Sequence, residues 1–237
     1  MDTVVDEVTT GIYRLSTYIA EADFSFNQYL IDAEQPLLFH CGMRGLFPLV
    51  SAAVTRVMPL ERLRWFSFGH WEADESGAMN EWLTVAPQAQ VAVGAIGCML
   101  SVNDVAIRPP QPLDDGAVLD LGGKRVRYVA TPHVPHCWDA GVIFEENTQT
   151  LFCGDLGTQV GKSPARSTAD LIGPAMAAED RFGATALTPR TASTIRQLAN
   201  LGPQLLALMH GPAYHGDCQH ALLQLADCYA ERLRHLQ

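Results

Sequence analysis

Alternating and apolar runs broken by polar turns dominate the first 40 residues of the chain. "GIYRLSTYIA", "FNQYLID" and "PLLFHCG" carry apolar residues at strand spacing, and "DAEQP" divides the last two. They predict β-strands. "GLFPLVSAAVTRVM" has helical periodicity, with Pro48 restricted to a first turn or a kink. "LRWFSFG" predicts a short strand ending in glycine, and Ser76 is the expected N-cap of a helix through "SGAMNEWLTVA". "AQVAVGA" adds another strand. Further on, "AVLDLGGKRVRYVATP" predicts a hairpin turning at "GGK", and "AGVIFEENTQTLFCGD" a second turning at "ENTQ". After residue 165 the period changes: "STADLIGPAMAAEDRF" and "TASTIRQLANLG" read as helices, and "QLLALMHG" as a buried strand. The last segment, "CQHALLQLADCYAERLRHL", is an amphipathic helix with Leu222, Leu223, Leu225 and Tyr229 on a packing face, which also suits a homodimer. Two groups of strands, with helices between and after them, predict an α/β (α+β) fold of sheets sandwiched between helices.

Composition narrows the function classes. A chain of 237 residues, 48% hydrophobic and 18% charged, can bury a sizeable core as one domain or two small ones. The net charge of −10 argues against nucleic acid or an anionic membrane as the main partner. No uncharged apolar run is long enough to span a bilayer, and the acidic start "MDTVVDEVTT" lacks a signal core, so the expected compartment is the cytoplasm. Six cysteines (41, 98, 137, 153, 218 and 228) form no C-x-x-C pair and are expected as small buried hydrophobes.

Against that ordinary background, "FSFGHWEADESG" is unusual. It places His70, Glu72, Asp74 and Glu75 within six positions. In extended backbone, side chains at i, i+2 and i+4 share a face, so His70, Glu72 and Asp74 converge. Unpaired carboxylates so close together raise one another's pKa, and a cation removes that conflict. A solvated acidic loop is the plainer alternative. Three later segments favour the cation. "TPHVPHCWDAG" supplies His133 and His136, "LFCGDLG" ends an apolar strand on Asp155, and "LLALMHGP" ends another on His210. Strand ends are where sites sit on layered α/β scaffolds.

The order H-x-E-x-D-x-S-G, then histidine in a "TP" loop, then "GDLG", then "HGP", resembles the metallo-β-lactamase superfamily, and within it the di-iron domain of flavodiiron proteins and the stand-alone oxygen-binding di-iron proteins. The likeness covers nearly the whole chain. It implies a four-layer αββα sandwich as a single domain over residues 1–237, without a flavodoxin domain. It also implies two iron ions, with manganese or zinc as alternatives, and no flavin in this chain. One ion would be held by His70, Glu72 and His136, the second by Asp74 and His210, with Asp155 bridging. His136 is preferred over His133 because the family's ligand lies three residues before the acidic position, here Asp139. His40, His133, Tyr214 and His215 are expected to back the ligands rather than touch the ions. Trp71, Trp138 and Phe68 flank ligands and are expected either to wall a dry pocket or to serve as plain core.

The departure from the family is at Glu75, where histidine usually binds the second ion; the carboxylate either takes that place or leaves the position open. His40 stands where such chains usually carry aspartate. The paired changes predict that His40 and Glu75 are neighbours that have exchanged roles. Counted together, Glu72, Asp74, Glu75 and Asp155 bring four negative charges to two divalent cations. A carboxylate-rich set suits iron or manganese better than zinc. The resemblance therefore implies a non-haem di-iron protein that binds, senses or reduces O2 or NO. A separate flavoprotein or rubredoxin-like donor would supply electrons where needed. The alternative is a dinuclear metallo-hydrolase acting on an ester, thioester or phosphodiester.

Overall fold

Strands buried on both faces set the architecture. The computed structural model describes residues 1–236. Seven strands, β1 (Thr3–Thr9), β2 (Ile12–Ile19), β3 (Phe24–Ile31), β4 (Leu37–Phe39), β5 (Trp65–Ser67), β6 (Gln90–Gly94) and β7 (Gln111–Leu113), form one sheet in that order. It is antiparallel from β1 to β4 and parallel from β4 to β7. A second seven-stranded sheet contains β8 (Val118–Asp120), β9 (Arg125–Ala130), β10 (Gly141–Glu145), β11 (Thr150–Gly154), β12 (Arg166–Ser167), β13 (Leu205–Leu208) and β14 (Ala213–Tyr214). Its order is β12-β14-β13-β11-β10-β9-β8.

Helices cover both outer faces. On the first sheet lie α1 (Phe47–Val54), the single turn α2 (Ala73–Ser76) and α3 (Met79–Val85). The one-turn helices α4 (Ala95–Gly97) and α5 (Asn103–Val105) flank a π-helical Cys98–Val102. On the second sheet lie α6 (Ile172–Phe182), α7 (Thr191–Ala199) and α8 (Cys218–His235). Alternate residues along each inner strand then enter different layers. In β4, Leu38 joins the cluster under α1 and α3, whereas Leu37 and Phe39 face the second sheet. In β13, Leu206 and Leu208 pack against α7 and α8, whereas Leu205 and Ala207 face the first sheet. Three buried clusters therefore fill three interfaces, which makes the fold the expected four-layer αββα sandwich.

Both predicted hairpins form: β8 and β9 turn through Gly122 and Gly123, at φ 73° and 84°, and β10 and β11 turn between Glu145 and Thr150. Left-handed φ costs glycine nothing, which explains the double glycine. Pro48 sits in the first turn of α1 as expected. Two features differ. The acidic N-terminus, whose pattern predicts no element, forms β1 by pairing with β2. Ser76 caps no helix. It lies inside α2, and its Oγ donates to the Glu72 carbonyl at 2.7 Å, while α3 begins after Ala78 without a side-chain cap.

The topology gathers the candidate residues at one end of the molecule. β11 and β13 are parallel, so Asp155 and His210 emerge from the same edge. β10 runs antiparallel to β11, so the loop that precedes it, carrying His136, opens there too. Gly141 N–H donates to the Gly69 carbonyl at 2.8 Å and joins that edge to the segment after β5.

No helix among the described residues is long and apolar enough to cross a membrane.

Candidate metal centre

The segment after β5 turns inward at Gly69. His70 follows, almost fully buried, and Trp71 N–H donates to Asp139 Oδ2 at 3.0 Å. That bond fastens the His70 loop to the His136 loop. His70 Nε2 then stands 3.0 Å from His136 Nε2, 3.5 Å from Glu72 Oε2 and 3.6 Å from Asp155 Oδ2. His136 Nε2 lies 3.3 Å from Glu72 Oε1 and 3.4 Å from Asp155 Oδ2. A second group forms beside it. His210 Nε2 is 3.4 Å from Asp74 Oδ2 and 3.2 Å from Asp155 Oδ1. The two oxygens of Asp155 thus face different groups.

These spacings test whether cations fit. Ligand atoms about 2.1 Å from one ion stand about 3.0 Å apart in an octahedron and about 3.4 Å apart in a tetrahedron. The observed edges of 3.0–3.6 Å start in that range and exceed it by no more than about 0.2 Å. Asp155 Oδ1 is buried and makes no hydrogen bond, which is costly unless something positive binds it. Two imidazole nitrogens pointing at one another beside two carboxylates are also poorly served by protons alone. The donor set of His70, Glu72, His136 and Asp155 could hold one cation, and Asp74, Asp155 and His210 another.

Electrostatics describe the same strain without an ion. Burial acts to lower the His70 pKa, but Glu75, Glu72 and Asp155 outweigh it and push the imidazole up to about 12. His210 is likewise disfavoured by burial and raised by Asp155 and Asp74, to about 9. Hydrogen bonds from His136 and His70 hold Glu72 well below the carboxylate range. Burial would raise Asp155, yet His210 and His70 bring it below its ordinary value. Protonated imidazoles thus supply the positive charge among the carboxylates that a cation would otherwise bring.

Not every predicted residue joins. Glu75, expected as a ligand of the second ion or as a gap there, turns away from Asp74 and His210. It is fully buried behind His70, with Oε1 3.3 Å from His70 Nδ1. Its neighbour is His40, whose Nε2 lies 3.5 Å from the same oxygen, as the paired substitutions predict. His133 is exposed, and its backbone N–H donates to the Cys137 carbonyl. Tyr214 packs under α8, and neither it nor His215 lines the cavity or joins the candidate ligand groups. Trp138 is 61% exposed and Phe68 belongs to the core under α3.

A cavity of about 480 Å³ opens over both groups. Glu72, Asp74, His136, Asp155 and His210 form its floor. Its walls come instead from Phe24, Phe182 and small residues of α6, with Glu179, Thr185 and Tyr229 at one side. Thr185 Oγ1 donates to Glu179 Oε2 at 2.7 Å and lies 3.0 Å from Tyr229 Oη.

Residues not singled out from the sequence support the floor from behind. His210 Nδ1 faces the Ser25 carbonyl at 2.8 Å. Asn27 Nδ2 donates to the carbonyls of Leu208 and Gly211, at 2.9 and 2.8 Å, on either side of His210. The polar pair "NQ" inside the apolar run "FNQYLID" was the available signal: a fully buried amide needs partners.

A family profile described as "ODP family beta lactamase" matches residues 24–211. A curated relative from Thermosynechococcus vestitus, named as a diflavin flavoprotein, is 26% identical over 205 residues. The alignment covers 82% of this chain and 35% of the relative, so the chain spans about a third of that protein's length. The rubredoxin oxygen:oxidoreductase of the anaerobe Desulfovibrio gigas has a TM-score of 0.81 at 16% identity, over 98% of this chain and 62% of its own. The flavodiiron protein of Giardia intestinalis gives 0.81 at 15%, over 97% and 60%. At such identities these two structures speak to the fold.

Proposed function

The chain belongs to the ODP family of beta lactamases, and from that premise we propose that it is a non-haem di-iron protein that binds or reduces O2 or NO. The observation that carries this reading is the division of Asp155 between two histidine groups, 3.4 Å from His136 Nε2 and 3.2 Å from His210 Nε2. One carboxylate so placed can serve two cations at once. His70, Glu72, His136 and Asp155 would hold the first, and Asp74, Asp155 and His210 the second. Three histidines with three carboxylates favour iron or manganese over zinc. When bound, a reduced iron pair supplies electrons and open coordination positions to a diatomic ligand.

The chain's own residues prepare the place. Phe24, Phe182 and the alanines of α6 give the cavity apolar walls. Burial keeps the Tyr229 hydroxyl protonated well above its ordinary range, and Tyr229 lines the same cavity. The residues described form one metallo-β-lactamase-like domain, with the electron carrier outside it. A flavin- or rubredoxin-type donor fits the names of the relatives.

The test is metal analysis of protein made in iron-supplied cells, with absorbance followed through anaerobic reduction and exposure to O2 or NO. Two irons per chain and an absorbance change on gas exposure are expected. Two zincs, no response to either gas and turnover of a phosphodiester or thioester would replace this reading with the hydrolase.

A further inference from the structure

Glu75 sits among the candidate ligands in sequence but behind them in space. Its Oε2 accepts two backbone hydrogen bonds, from Gly69 N–H at 2.6 Å and His70 N–H at 2.8 Å. Its Oε1 faces His70 Nδ1 at 3.3 Å and His40 Nε2 at 3.5 Å. The carboxylate is fully buried and forms no part of the cavity wall. Room for it comes from two glycines. A Cβ at Gly69 would lie 3.1 Å from Oε2, and one at Gly154 3.3 Å from Oε1. His40 is anchored in turn, with Nδ1 3.2 Å from the Asn27 carbonyl. Glu75 thus has two backbone donors on Oε2, while Oε1 makes no hydrogen bond and lies between the two imidazoles at ion-pair distance.

The two groups of the centre are backed differently as a result. His70 is held from behind by a carboxylate, which orients the ring and raises the basicity of its free nitrogen. His210 is held by the neutral Ser25 carbonyl. The first group converges four side chains and the second three. Glu72, Asp74 and Asp155 then bring three negative charges to the pair, not the four counted from the sequence.

We propose that Glu75 is a positioning residue for His70, paired with His40, and that the second cation position, left with Asp74, Asp155 and His210 alone, fills last and empties first. This rests on the dinuclear reading above. It makes the second position the one with more places free for solvent or a small ligand.

Calorimetric titration of the metal-free full chain with Zn2+ tests the inference, with Co2+ absorbance as a second readout. The expected result is two steps separated by about tenfold or more in affinity. Glu75→Gln is expected to weaken the tight step by about 10–100-fold, the usual effect of losing a carboxylate behind a ligating histidine, and to spare the weak step. Asp74→Asn, on the cavity side, is expected to abolish the weak step and spare the tight one. Two equal steps in the unaltered protein would overturn the uneven pair, and a Glu75→Gln effect confined to the weak step would make Glu75 a ligand. Should Glu75→Gln fail to fold, the unaltered protein and Asp74→Asn still decide the order of filling. Absence of any binding would instead remove the dinuclear reading itself.

Discussion

Asn27 offers the sharpest test of how the floor of the centre is held. Its Nδ2 donates to the Leu208 and Gly211 carbonyls at 2.9 and 2.8 Å, while Oδ1 makes no hydrogen bond. Reversing the amide would set oxygen against two oxygens, so the orientation is fixed by chemistry. Asn27→Ala removes both bonds. Neither acceptor loses every side-chain donor, because Leu208 keeps the Tyr29 hydroxyl at 2.9 Å and Gly211 keeps Arg14 at 3.0 Å. At about 1 kcal/mol per bond the loss is about 2 kcal/mol. Tyr29→Phe removes one bond, for about 1 kcal/mol. The double variant strips Leu208 of both side-chain donors. Leaving that buried carbonyl short adds about 1–3 kcal/mol beyond the sum of the two changes. Denaturant unfolding of the four metal-free proteins at neutral pH measures this coupling. Additivity to within about 0.5 kcal/mol would show that the two side chains do not share an acceptor and would refute the reasoning.

Two further outcomes follow from packing and burial. A Cβ at Gly94 would fall 2.1 Å from Tyr128 Oη and 2.8 Å from Cζ, so Gly94→Ala is expected to destabilise by about 1–3 kcal/mol, and a Tyr128→Phe background should lower that cost without removing it. Gly141→Ala should gain less relief, because its Cβ would also meet the ring carbon Cε2 at 2.4 Å; thermal unfolding of the pairs checks both. Burial raises the phenols of Tyr29, Tyr128 and Tyr229, three of the six tyrosines, far above their ordinary value. A raised folded pKa means the folded chain holds those protons more tightly. Stability is therefore complete below the unfolded value of about 10 and falls as pH rises past it. Near-ultraviolet titration should show these three ionising only as the chain unfolds; early ionisation of all six would contradict their burial.

The strand ends carrying His70, Asp155 and His210 were legible because each closes an apolar run with a polar residue that a buried strand does not otherwise tolerate. The hairpins were legible from their turn chemistry. Ser76 lies inside a helical turn over residues 73–76 and not at the N-cap expected of it, and the same turn decides which way Glu75 points. Successive side chains on a helix diverge by about 100°, so Asp74 meets the cavity and Glu75 the core. β1 was missed because an acidic, half-exposed strand gains its partner only from β2.

By itself, then, the sequence determined the layered architecture and the set of side chains able to meet a cation, since both follow from local period and residue type. Which of those side chains face one another is a long-range matter. His40 meets Glu75 because β4 and β5 lie side by side in the first sheet, and Ser25 meets His210 only because the two sheets pack face to face. That geometry, set by the packing of three buried layers, decided which carboxylate lies on the cavity and which stands behind it.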